Sequence, residues 1–179
     1  MFLHVTYFIA INIIEITTLV ISLSVISSCK KSKIAEPQTV FSFKANGVSY
    51  KWSNSVSGNT EPQGAKIIKI TTATGNTCYI LEGMDHQSDM FLNLAMLANT
   101  LQKTTYTTIT PSSNNISYSI YKANNVYGAP VNPGDSVAVN ITDITNNFVT
   151  GTFNAVMHDQ TLTKIEITEG SFQHVMIAQ

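Results

Sequence analysis

The chain has 179 residues, with 10 Lys and Arg against 11 Asp and Glu and only 12% charged residues in all. So even a balance leaves no electrostatic footprint for a nucleic acid, and a chain of this length suits one domain that folds without metal or disulfide staples. The basic residues are all lysines, and solvation falls largely to Thr, Asn and Ser, a pattern shared by secreted β proteins and by chains encoded with many Lys and Asn codons.

The first element is apolar. Ile16 to Ile26 reads ITTLVISLSVI, the length of the hydrophobic core of a secretory signal, and Ser27 and Ser28 stand before Cys29. An aliphatic residue three places before a cysteine, with small residues between, resembles the lipobox of bacterial lipoproteins. That resemblance implies a helical signal segment over residues 1–28 that is cleaved, a diacylglyceryl group on the Cys29 sulfur and acylation of the new amino terminus. Several acyl chains, at about 0.8 kcal/mol per buried methylene, anchor a protein that one chain would hold only marginally. Two features dissent: the first points to a start upstream of the real one or to an n-region outside the apolar core, the second to the competing reading, an uncleaved signal anchor with a cytosolic domain. The opening MFLHVTYFIAINIIE offers only His4 where a signal carries Lys or Arg, and Glu15 would cost about 3 kcal/mol at mid-bilayer. Lys30, Lys31 and Lys33 would also hold this flank in the cytoplasm if the segment stayed in place.

Residues 29–38 then form a polar tether, and one β domain is expected over 39–179. In VFSFKANGVSYKW, Phe41 and Phe43 alternate with polar residues, Asn46-Gly47 supplies a type I′ turn, and Val48, Tyr50 and Trp52 alternate on the return. After a turn-rich loop, KIIKITTA and TCYILEG flank Gly75-Asn76 as a second hairpin. With Cys29 lipidated, Cys78 has no intramolecular partner and reads as a small buried hydrophobe. In MFLNLAMLA, Met90, Leu92, Leu94 and Met96 keep strand period. TTYTTIT and NISYSIYK are β-branched and aromatic runs, and GAPVNPGD breaks the chain.

A meander closes the sequence: SVAVNITDI, a turn at Thr145-Asn146-Asn147, FVTGTFNAVM, a turn near His158, TLTKIEIT, a turn at Glu169-Gly170, and SFQHVMIA. Val137, Val139 and Ile141 share one face, as do Val149, Phe153 and Met157, so one side is apolar and the other wet. The expected fold is all-β, an antiparallel meander of about eight to ten strands forming a sandwich or flattened barrel, because an open sheet of that size would leave bare edges.

FSFKANGVSYKW near the domain start, with SVAVNITDITNNFVTGTFNAV and ITEGSF near its end, resembles a family of small, uncharacterised lipoproteins of Bacteroidota envelopes. The resemblance implies a β domain with a closing GTF…EGSF hairpin, held by lipid to the envelope, with the outer membrane facing the periplasm as its place. It supplies no activity. Gly151 and Phe153 read as a strand crossing where a bulky side chain packs over a gap. Asp135 to Val137, DSV, looks like the short O-glycosylation acceptor pattern of that phylum, with Ser136 the acceptor and a turn into a strand as the plainer reading.

Chemistry is sparse. Glu82, Asp85, His86 and Asp89 crowd EGMDHQSD, where Asp85, His86 and Asp89 are weak metal candidates, but no EF-hand spacing fits and a solvated hairpin tip is the expectation. His158 and Asp159 in MHDQ read as a turn. No phosphate-cradling loop, nucleophile elbow or zinc pattern occurs, so neither a cofactor nor catalysis is indicated. Trp52, Tyr50, Tyr118, Tyr121 and Tyr127 are the candidate ligand-binding residues, as stacking faces for a glycan or an envelope protein, though such rings more often pack a core. A non-catalytic binding or structural module is therefore the first expectation, a lipocalin-like carrier of a small apolar ligand the second, and an envelope hydrolase the third.

Overall fold

The computed structural model describes residues 38–53, 63–71, 75–87, 89–108 and 115–178, and for Asn115, Ser117 and Tyr118 the backbone alone. The signal segment 1–28, Cys29 and the tether up to residue 37 lie outside the described residues.

Eleven strands make up the described chain: β1 Val40–Ala45, β2 Val48–Trp52, β3 Gln63–Thr71, β4 Thr77–Asp85, β5 Met90–Leu97, β6 Thr105–Thr107, β7 Asn115–Lys122, β8 Val126–Ala129, β9 Ser136–Thr145, β10 Phe148–His158 and β11 Lys164–Ala178. The protein is all-β, and no helix is found among the described residues. The count passes the expected range because Val126–Ala129, which runs into the start of the stretch read as a break, forms the short strand β8.

Asn46 and Gly47 both take positive φ, at 47° and 84°, and set Phe43 against Tyr50 and Phe41 against Trp52. Asn146 and Asn147 do the same between β9 and β10. Pairing then runs β3–β4–β5–β7, on through β6 to β9, and through β10 and β11 back to β3, so the sheet closes on itself. Two of these contacts are parallel, β6 with β7 and the end of β11 with β3, whereas a pure meander would have none. β8 bridges β7 and β10 across the same seam.

The interior is filled. Phe41 stacks on Trp52 at 5.4 Å and on Phe153 at 5.2 Å between ring centroids, and Ile67, Leu81, Leu92, Leu94, Val139 and Met157 complete one apolar cluster. The expected turn at Glu169-Gly170 is instead a bulge within the continuous strand β11. Glu169 has φ 52°, and Glu169 and Gly170 together span the single residue Phe43 of β1. The extra residue lets the strand bend without ending, which is how a long strand serves a closed sheet. Cross-strand pairing sets Gly151 opposite Phe172 and Phe153 opposite Gly170, each ring lying over the facing glycine.

Strand parity also shows where the one-sided pattern fails. On β3 to β5 the inward positions Ile67, Leu81 and Leu94 are buried, but so are the outward-facing Ile80 and Ala95. Cys78, expected to be buried, is half-buried, because its register mates Ile70 and Leu97 place it on the same outward face. Glu82 is likewise no part of a hairpin tip. It lies mid-strand in β4, paired with Lys66.

Candidate functional site

The largest polar arrangement is built where β10 ends and β9 begins. Asp135 stands one residue before β9, and its two oxygens have separate tasks. Oδ2 accepts the Val131 N–H at 2.7 Å and the Asn132 N–H at 2.6 Å, while Oδ1 meets His158 Nδ1 at 2.6 Å. The Asp135 side chain is fully covered and the imidazole is 17% exposed. Burial alone would push this carboxyl up, but the Asn132 N–H, the His158 ring and the Val131 N–H outweigh it and hold it below the ordinary carboxylate range. An ionised carboxylate can only accept, so the hydrogen belongs on Nδ1, and the neutral form of the ring then has its lone pair on Nε2.

A second aspartate folds the opposite wall. Asp159 Oδ1 accepts the Thr161 N–H at 2.8 Å, the Thr161 hydroxyl at 2.7 Å and the Thr163 N–H at 2.9 Å. These donors, the Thr161 hydroxyl foremost, hold the Asp159 carboxyl below its usual range against a smaller upward push from burial. Both walls are thus fixed by local side chain to backbone bonds. Between them lies an open recess of about 750 Å³, walled on one side by Ile120, Val126 and Gly128, on another by Val131 and Asn132, and closed by His158 to Thr161. Val131 is 77% exposed at its rim. Neither lysine nor arginine lines it.

Ser119 also borders the recess, and its buried hydroxyl has no hydrogen-bond partner among the described residues. Serine, histidine and aspartate have the composition of a hydrolytic triad, but the sheet sets them apart. Ser119 is in register with the buried Leu94 and Ala129, so its side chain shares their inward face. His158 is in register with Gly128, which pairs with Ile120 on the other face. The arrangement therefore fixes the imidazole and sets the Ser119 side chain on the opposite face of the sheet, so these three residues do not assemble a triad.

The residues singled out from sequence are scattered. Trp52 and Tyr121 are 4% and 2% exposed, and their ring faces are taken by Phe41 and Phe43. Burial, then Tyr50, push the Tyr121 hydroxyl well above the ordinary phenol range. Tyr50 stacks on Phe43 and Tyr127 leans on Tyr121, both half-buried, while the Tyr118 side chain lies outside the described residues. Asp85, His86 and Asp89 are near one another around a smaller surface recess, but Asp89 pairs with Lys122 and Asp85 accepts from Gln63 and the Gln87 N–H. No group of three metal-ligating side chains is found among the described residues. Ser136 is half-buried at the start of β9, next to an Asp135 that is occupied by the 131–132 loop and by His158. Comparison with protein families, with curated proteins and with solved structures finds no match.

Proposed function

We propose that this chain is an envelope lipoprotein anchored through Cys29, whose β domain is a non-catalytic binding module that presents the recess around His158 to a ligand in the periplasm. One observation carries the reading: a recess with apolar walls and a histidine oriented by a buried carboxylate is held in shape before any ligand arrives, which lowers the ordering cost of binding. The packed aromatic interior supports this over the carrier, since a carried ligand needs a hollow that Phe41, Trp52 and Phe153 fill. A glycan or an envelope protein remains the partner class. The aliphatic recess replaces the tyrosine and tryptophan faces as the surface it would touch.

The anchoring is tested by feeding cells an alkyne fatty acid. The parent chain is expected to carry label and sediment with membranes, and the Cys29→Ala variant to carry none; an unlabelled parent ends the lipoprotein reading. The recess is tested by capture from envelope extract on immobilised protein, beside a glycan array. Val126→Lys places a charge on the apolar wall and is expected to abolish whatever the parent retains, whereas retention unchanged by Val126→Lys and by His158→Ala removes the recess from the binding surface.

A further inference from the structure

We propose that the recess selects a primary ammonium group on an aliphatic stem, received by His158 Nε2 with the Asp159 carboxylate beside it. This rests on the recess being a ligand site and names the chemistry it takes. Asp135 Oδ1 occupies Nδ1, so the ring offers the ligand its remaining nitrogen, Nε2, which has no partner among the described residues and, in the neutral ring, is an acceptor. The three bonds to Asp159 all fall on Oδ1, which leaves the acceptor capacity of Oδ2 on a residue that lines the same recess. Among the described residues no lysine lines the recess to compete for either acceptor, and Ile120, Val126 and Val131 match a methylene stem. An ammonium supplies three donors to such a set, whereas a carboxylate or phosphate meets a lone pair and a like charge.

The two tasks of Asp135 provide the test. Asn at this position can keep its carbonyl oxygen on the Val131 and Asn132 N–H groups while its amide nitrogen faces His158, so the loop stays folded but the ring must accept at Nδ1 and carry its hydrogen on Nε2. Butylammonium, 1-butanol and butyrate are titrated into the isotope-labelled chain at neutral pH, following the His158 ring nitrogens and the Val126 and Val131 methyls by NMR. In the parent, butylammonium is expected to bind about tenfold tighter than 1-butanol, and butyrate not at all. In Asp135→Asn, the ring-nitrogen shifts are expected to exchange, the Val131 and Asn132 amides to stay in place, and the preference for butylammonium to fall about tenfold. Butyrate binding as well as butylammonium, or a preference unchanged after the tautomer has exchanged, overturns the ammonium assignment alone. No probe moving the Val126 and Val131 methyls overturns the recess as a ligand site as well.

Discussion

Alanine at Gly170 or Gly151 is expected to lower the stability of the chain by about 3 kcal/mol or more, the upper range for overpacking a core. A Cβ built at Gly170 would lie within 3.0 Å of the Phe153 backbone oxygen and ring, and one at Gly151 within 3.0 Å of the Asn140 oxygen and the Phe172 ring. A flexible side chain could swing away from such a contact. Strand backbone cannot, because Asn140 and Phe153 are held in the ladders that close the sheet. The two sites are also reciprocal: each phenylalanine covers the glycine paired with it and the two rings pack on one another, so a shift of either disturbs Phe41, against which Phe153 stacks. Urea unfolding of the parent and of three single variants measures the effect. Gly128→Ala serves as the control, since its Cβ would meet only ordinary contacts at 3.8 Å, and it is expected to change stability by less than about 1 kcal/mol. Equal losses at Gly128 and Gly170 would mean that the cost is backbone entropy and that the ring over glycine arrangement plays no special part.

The same pair shows what the sequence made legible. GTF was readable as a crossing in which a ring packs over a gap, and the structure sets the Phe153 ring over Gly170 of EGSF and the Phe172 ring over Gly151. The position of EGSF was misread as a turn because Glu-Gly between two alternating runs has turn chemistry. The single extra residue of a bulge uses the same positive φ at Glu169 while both ladders continue past it. Hairpins announced by Asn-Gly and Asn-Asn formed as expected, since a two-residue turn fixes register locally. That register also held the clue to the site. Counting back symmetrically from Asn146 and Asn147 sets position 135 opposite 158, and the bulge at Thr142 displaces the match by only one place. The recess beyond it depends on β8 meeting both β7 and β10, contacts of long sequence separation that no local pattern encodes. Tyrosine and tryptophan looked available for a ligand because half of a strand faces outward. Phe43 and Phe41 set Tyr50 and Trp52 on the inward half by direct pairing.

The outward face of β3 to β5 carries the second large effect, because it departs furthest from the apolar-inside, polar-outside pattern of the closing meander. Lys66 and Glu82 are cross-strand partners on that face, 3.3 Å apart, with side chains only 8% and 16% exposed. Asn93 is the next residue in the row across β5, and with its amide nitrogen turned to Glu82 it donates to Oε2 at 3.3 Å. Two charges so far removed from water attract strongly, but each has given up its hydration, and the two effects nearly cancel while both partners are present. Removing one partner ends the cancellation. Glu82→Leu is expected to cost about 3 to 5 kcal/mol, because a buried ammonium loses its carboxylate partner on a face it shares with the buried Ile80, Ala95 and Met84. Adding Lys66→Met should recover most of that loss and bring the double variant to within about 1 kcal/mol of the parent or above it. Urea unfolding of the four chains in this double-mutant cycle separates the alternatives. If Glu82→Leu alone is as stable as the parent, Lys66 is solvated in solution, and the outward face of β3 to β5 is an open surface like that of β9 and β10.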